Sequence, residues 1–486
     1  MGVDGLYKFI SMNCPYVYKN VFIKNINKKA CIVDGIQHIY SQLIYMRTKN
    51  KEVYTADGKN ISHIHGLINS LSYYLKNGLI PIFVFDGKPP IIKKKKIEER
   101  RLLLRNNLKK LKNLENAKTN VINEYNKIKS DSDKHDDDFN KYFFGTPPES
   151  MLTMDEKSDY SEEDDEGEED VEEGGEGRRR SSCGSRSEDD LNKITLKVDK
   201  LNSEYYKIYK KSIILKDYYV KDWIEILELL GLPVIQAENE ADPICSYLLK
   251  NNRNIYGIIS DDSDMLIFGA HRLLRKIVNQ HFKVIELDYL IESINYDLLQ
   301  FENSNGFTLD DLINFCILLG TDYGYFNLKF KYDNSLELLK YYYSVNKNIL
   351  QIINEHDLDK FNEIKKYYTS TSTASTTTAS TSPISTTIST STTSSTSSTS
   401  PISSISPISS IDPKLLHSKP EWNKPKLMEL KKRLLELDVD EDYIDETNLH
   451  FDECYSQYNS NKHYVYQNKF TFFNYNKDYR NSDIYK

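Results

Sequence analysis

Five apolar runs in this 486-residue chain each end at, or are closely followed by, acidic residues, and this pattern constrains the fold more than any other feature. Asp34 closes ACIVD and Asp86 closes IPIFVFD; Glu240 and Asp242 follow PVIQAEN, Asp262 and Asp264 follow YGIISD, and Asp322 follows FCILLGT. Short β-branched runs of this kind read as buried parallel strands; FCILLG fits a helix as well as a strand. In open α/β sheets ligands bind in the crevice at the carboxyl ends of the strands. The expected fold class is therefore α/β, with a central, mostly parallel sheet flanked by helices. Seven carboxylates in one crevice repel one another by several kcal/mol unless cations neutralise them. Hard oxygen ligands suit Mg²⁺ or Mn²⁺, and two such ions about 4 Å apart are a common engine of phosphodiester hydrolysis.

A single Asp after a strand has an ordinary reading as a turn former or helix N-cap. Asp262-Ser263-Asp264 before the apolar MLIF also fits an N-cap followed by a first-turn acid. Five such endings in one chain are what favour a shared site.

The opening MGVDGLYKFI, the segment LIPIFVFDGKPPIIKKKKIEERR (79–101), and then ENEAD, SDDSDMLIFG and FCILLGTDY resemble the flap endonuclease and XPG-type 5′-nuclease superfamily in order and spacing. The resemblance covers an amino-terminal motif over about residues 1–101 and an internal motif over about 205–325. It implies a PIN-like nuclease core with a helical arch and a C-terminal helical region. It also implies two bound Mg²⁺ ions, with Mn²⁺ as a substitute, and cleavage of DNA at 5′ flaps or junctions between duplex and single strand.

Carried over residue by residue, the resemblance puts Asp34, Asp86, Glu240, Asp242, Asp262, Asp264 and Asp322 on metal-ligand positions, some direct and some through water. Lys93 and Arg100 fall on two basic positions of a gateway helix. Being seven apart, they share one helical face and can stabilise charge developing on the scissile phosphate. The same KKKK and ERR residues, taken without the flanking FVFDGKPP, read as a solvated helix face. Gly2 heads the MG-x-x-GL signature that the family places near the bent DNA. Tyr40 falls where the family stacks an aromatic on a nucleobase; with 36 Tyr in the chain, an ordinary half-buried tyrosine is the competing reading.

Two departures stand out. Position 242 is Asp where flap-type members have Glu, and there and at Asp262-Ser263-Asp264 the chain resembles exonuclease-type members. After Asp322 the segment YGYFNLKFKYDNSLELLKYYY (323–343) lacks the second glycine of the family's K⁺-binding hairpin. The K⁺ site and downstream-duplex grip stay open, with SLELLKYY as a candidate second helix.

The net charge of −8 suits a DNA-binding protein badly. Residues 131–190, however, hold 23 Asp/Glu against 7 Lys/Arg, which leaves the remainder at +8. This acidic tract, poor in large apolar groups, reads as a disordered insertion within an arch region spanning 102–204. A DNA-mimicking or partner-recruiting role is the alternative, and Ser158 and Ser161 beside its acids are candidate phosphorylation sites.

A further unit, 205–368, holds the internal motif and degenerate DNA-binding helices. Residues 369–411, nearly all Ser and Thr with a repeated SPIS, read as a linker. In 412–446 the spacing of Leu427, Leu430, Leu434 and Leu437 predicts a helix, and the segment resembles the last core helices of the family's fold, returning after an insertion. The tail 447–486 contains QNKFTFF (467–473), a weak sliding-clamp box whose spacing is off by one residue.

Six Cys without CxxC pairing read as reduced intracellular thiols. The absence of a signal peptide or membrane span predicts no membrane association. A monomer in the nucleus, or at a cytoplasmic viral replication site, is the expected setting. The expected function is a structure-specific 5′ flap endonuclease of DNA replication and repair. The alternatives are a 5′→3′ exonuclease or junction resolvase of the same superfamily, and a non-catalytic junction-binding scaffold.

Overall fold

The computed structural model describes residues 2–130, 186–300, 306–370, 415–416 and 418–460. Seven strands form one sheet: β1 (Tyr18–Phe22), β2 (Ala30–Asp34), β3 (Ile80–Phe85), β4 (Val234–Gln236), β5 (Ile255–Ile259), β6 (Arg272–Val278) and β7 (His281–Glu286). Their order is β1-β7-β6-β5-β2-β3-β4. The β4-β3-β2-β5-β6 portion is parallel, and β7 and β1 complete it antiparallel. Every residue of β2 and β3 is buried. That is why their sequences are unbroken apolar runs rather than alternating ones: helices cover both faces of the sheet. The β6–β7 hairpin turns on Asn279 and Gln280, both at positive φ (49° and 66°), as a two-residue hairpin turn requires.

The helices are α1 (Leu6–Asn13), α2 (Gly35–Thr48), α3 (Ser62–Lys76), α4 (Lys94–Ser130), α5 (Arg186–Lys211), α6 (Asp217–Leu229), α7 (Ala241–Asn251), α8 (Asp264–Ile267), α9 (Leu287–Ser293), α10 (Leu309–Leu319), α11 (Ser335–Ser344), α12 (Ile349–Ile352), α13 (Leu358–Ser370), α14 (Leu427–Glu436) and α15 (Glu441–Asn459). The ambiguous FCILLG run lies in helix α10, whose start is set by a capping box between Thr308 and Asp311. Asp322 is therefore delivered by a turn after a helix, whereas the other four acidic endings follow strands.

The arch consists of α4 and α5, which pack on each other through a small separate core of Val121, Ile122, Ile194 and Val198. Two expected boundaries shift. Residues 186–190 belong to α5, so the disorder expected up to 190 does not extend to them, and residues 369–370 finish α13 instead of starting a linker. The rest of both tracts, with Ser158 and Ser161, lies outside the described residues, as does QNKFTFF.

Within the expected C-terminal helical region 412–446, the described residues pack on the core. The Trp422 indole donates to the Leu230 carbonyl at 2.7 Å, and Leu430 and Leu434 are buried. The tail expected from 447 begins later. Helix α15 continues to Asn459 and buries Thr447, His450, Phe451 and Cys454 on one face, a spacing that the Leu-based pattern did not register. The five described Cys are free and buried. Among the described residues no helix is long and apolar enough to cross a membrane.

Candidate metal centre

Parallel strands deliver their carboxyl ends to one edge of the sheet, and this places the acids together. Asp34 ends β2 and is also the N-cap of α2: the Gln37 N–H donates to Oδ1 at 3.1 Å and the Ser260 hydroxyl donates to Oδ2 at 3.2 Å. Burial, then the neighbouring Asp86, push the Asp34 carboxyl up to about 8. Asp86 follows β3 at the mouth of the crevice, where the residue is exposed, and accepts from the Ala241 N–H at 2.6 Å. Desolvation still raises its carboxyl, helped by Glu240. Asp242 lies in the first turn of α7, buried, and is raised by desolvation and by Asp262, Asp34 and Asp86. Asp262 accepts from the Asp264 N–H at 3.0 Å; Ser263, not Asp262, is the N-cap of α8, and Asp264 is its first-turn acid. Asp264, 1% exposed, is raised by desolvation and then by Asp262 and Asp322.

The carboxylates repel one another across the whole crevice: Asp86 and Asp262 act on Asp34, Glu240 and Asp262 on Asp86, Asp262, Asp34 and Asp86 on Asp242, and Asp262, Asp322 and Glu240 on Asp264. Lys93 and Arg100 reach in from the foot of the arch. Lys93 pairs with Glu240 and lies 3.5 Å from Asp322, while the Arg100 Nη2 donates to both Asp322 oxygens at 2.7 and 2.6 Å. Burial alone would lower Lys93, but Glu240, Asp242 and Asp322 outweigh it and raise the ammonium well above its usual range. Both basic residues contact acids of the crevice, Lys93 with its side chain 13% exposed and Arg100 with 42%.

Gly2 and Tyr40 take different places. At Gly2 (φ +89°) a Cβ would fall 2.3 Å from Asp262 Oδ1, and the next residue's N–H donates to the Ser263 hydroxyl at 2.8 Å. The amino-terminal turn thus lies against the acids, with no room for a side chain at position 2. Tyr40 is half-buried on α2, and its hydroxyl donates to the Lys211 carbonyl (3.4 Å) at the end of α5.

Four contacts were not foreseen. The Tyr323 and Tyr367 hydroxyls donate to Glu240 Oε2 at 2.6 and 2.8 Å, Tyr368 donates to Asp264 Oδ2 at 3.3 Å, and Lys96 meets the Tyr325 hydroxyl. Tyr323 adjoins Asp322 in the quoted LGTDY motif and was legible there. Tyr367 and Tyr368 stand more than a hundred residues from the acids they touch, and no local signal marks them.

Among the described residues no three His, Cys, Asp or Glu side chains already form a ready metal cage. The donor chemistry nevertheless fits hard divalent cations. Carboxylate oxygens of buried residues converge on a single crevice, and Asp264 Oδ1 is buried without a hydrogen-bond partner. Glu240, Asp242, Asp262, Asp264 and Asp322, with Asp34 and Asp86, are the residues that would hold such ions.

A sheet with an acidic crevice at its carboxyl edge, overlooked by basic residues from a two-helix arch, defines a PIN-like α/β nuclease core. Family comparison agrees. The "XPG N-terminal domain" matches residues 1–107 and the "XPG I-region" matches residues 231–322. The two matched segments together cover 199 of the 486 residues, and over them the chain is similar to the XPG-type nucleases. Flap endonuclease 1 of Theileria parva is 25% identical over 374 residues, covering 76% of this chain and 56% of the relative. Flap endonuclease 1-B of Oryza sativa subsp. indica is 26% identical over 325 residues, covering 66% of this chain and 57% of the relative. The chain thus spans little more than half the length of these curated relatives. Among solved structures, flap endonuclease-1 from Methanococcus jannaschii superposes with a TM-score of 0.47 at 17% identity, covering 92% of this chain and 97% of that one.

Proposed function

We propose that this protein is a structure-specific 5′ nuclease that hydrolyses DNA phosphodiester bonds at the base of 5′ flaps, in replication and repair, using two divalent cations, Mg²⁺ or Mn²⁺. The observation that carries this reading is the meeting of Lys93 and Arg100 with Glu240 and Asp322 at the foot of the arch. When bound, the cations would lower the pKa of the attacking water and stabilise the leaving oxygen. The protein's own contribution is positional. Lys93 and Arg100 are charged at any working pH and would exchange their carboxylate partners for the scissile phosphate, with charge-assisted hydrogen bonds growing as negative charge develops there. The Gly2 turn, lying on Asp262 and Ser263, keeps the crevice open to a bent backbone. Tyr40, at the base of α5, is the candidate stacking surface for a base beside the junction, a contact worth about 1–3 kcal/mol.

The test is Mg²⁺-dependent cleavage of a 5′-labelled double-flap duplex, beside a recessed-end duplex and a four-way junction. A single cut at the flap base, abolished by Asp262→Ala or Asp86→Ala with DNA binding retained, is expected. Wild-type cleavage by either variant would defeat the site assignment. The exonuclease reading is favoured by one observation, the shorter Asp at position 242, and predicts a ladder of short products from the recessed end. Symmetric cutting of the four-way junction would indicate a resolvase, and tight binding without cutting would indicate a scaffold. A sliding-clamp contact through residues 467–473 and a nuclear or viral-replication setting belong to the same proposal.

A further inference from the structure

Glu240 and Asp264 share an arrangement that the other acids of the crevice lack. Each has one oxygen engaged by tyrosine and the other left free of it. Glu240 Oε2 accepts from Tyr323 at 2.6 Å and Tyr367 at 2.8 Å, while Oε1 faces Lys93. Asp264 Oδ2 accepts from Tyr368 at 3.3 Å, while Oδ1 is buried with no hydrogen-bond partner. Tyr367 and Tyr368 are consecutive residues near the end of α13, outside both segments matched by the family. Their rings pack with Tyr323 at 4.8 and 5.3 Å between centroids, and Tyr368 lies 4.8 Å from Phe268. The phenols therefore sit in a packed aromatic layer rather than on free rotors.

We infer that α13 is part of the metal centre: Tyr367 and Tyr368 are positioning residues that hold Glu240 and Asp264 with one oxygen each toward the cations. The inference rests on the metal-dependent reading proposed above. Mg²⁺ demands near-ideal octahedral geometry, and a carboxylate tethered through one oxygen is held to monodentate ligation through the other. Hydrogen bonds to ligating carboxylates are a general means of fixing them, and their loss typically weakens metal affinity or activity about 10–100-fold. The unmatched segment after residue 322 thus finishes a site that the matched segments supply with ligands.

The test uses the full chain without DNA, with Mn²⁺ as the probe read by electron paramagnetic resonance. Tyr367→Phe and Tyr368→Phe keep the packed ring and remove only the hydroxyl. Each is expected to weaken Mn²⁺ binding about 10-fold or more, with melting in chelator close to wild type. In flap cleavage the Mg²⁺ concentration for half-maximal rate should rise by a similar factor, and the rate at saturating Mg²⁺ should recover. Wild-type binding together with equal binding by both variants would overturn this inference alone. A rate depressed at every Mg²⁺ concentration would also overturn it, since that is the signature of a purely structural role. If Tyr367→Phe melts early, Tyr368→Phe, acting on the other carboxylate, decides the matter. No Mn²⁺ bound by the wild type would overturn the metal reading together with this one.

Discussion

Lys93 occupies the point where the crevice's electrostatics are decided. Its ammonium contacts Glu240, lies 3.5 Å from Asp322, and is buried enough that burial alone would lower its pKa; only the surrounding carboxylates keep it charged. Lys93→Met removes that charge at the place where phosphate charge would build up. Cleavage should fall by about 10²–10³-fold while junction binding, measured by fluorescence anisotropy, changes little; a loss confined to binding would move Lys93 out of the chemistry. Gly2 gives a second test. A methyl there would lie 2.3 Å from Asp262 Oδ1 on a backbone at φ +89°, so Gly2→Ala both strains the turn, by about 1–3 kcal/mol, and pushes on an acid of the crevice. Flap cutting should drop about 10-fold or more, as small misplacements in a site typically do, with the bulk melting transition preserved. The acids and both basic residues were legible because each stands at the end of an apolar run or in a spaced motif. Asp34 shows that the N-cap and ligand readings were never exclusive, since one carboxylate serves as both cap and crevice acid. Tyr367 and Tyr368 were illegible because their partners are 127 and 104 residues away, and only the fold brings them together.

Helix α2 shows what covering the sheet requires of its residues. His38 is buried against Tyr74, Phe83 and Trp223, its Nε2 has no hydrogen-bond partner, and burial pushes its pKa down to about 4. The folded state therefore keeps His38 neutral, whereas the unfolded chain takes up a proton below about 6.5, so stability is lost as pH falls from 6.5 toward 4. The full effect is about 3 kcal/mol at most. His38→Phe, which keeps the aromatic packing, should gain on wild type in urea denaturation as pH is lowered through this window. Other titrating groups, His65 and the crevice acids among them, cancel in the difference; a constant gap between the two proteins would rule out the assignment. At this scale the strands were read from their unbroken apolar composition, and α14 from its leucine spacing. FCILLG could not be settled by composition, since strand and core helix share it, and the capping box at Thr308 and Asp311 decided it. The end of α15 escaped because its buried face is made of Thr447, His450, Phe451 and Cys454 instead of an aliphatic repeat.

Charge at the scale of the whole molecule poses a question that no single residue answers: a positively charged remainder, proposed here to cut DNA, is joined to an acidic tract that reverses the sign. The arch does not depend on that tract for its pairing, because α4 and α5 meet through Val121, Ile122, Ile194 and Val198. Excising residues 131–185 and joining the helices by a short flexible linker removes 20 Asp/Glu and 6 Lys/Arg, moving the net charge from −8 to +6. The excised protein should melt within a few degrees of wild type and cut at the same position on a flap substrate. Its DNA affinity should rise several-fold at low ionic strength, because the field of the excised acids no longer opposes the phosphates. That gain should shrink as salt is raised, since the screening length falls from about 10 Å at 0.1 M to about 3 Å at 1 M. Affinity measured against salt for both proteins tests this field. Curves that converge as salt is raised identify a long-range charge effect of a tolerated insertion. Equal affinities at every salt concentration would mean that the tract exerts no such field on the DNA site.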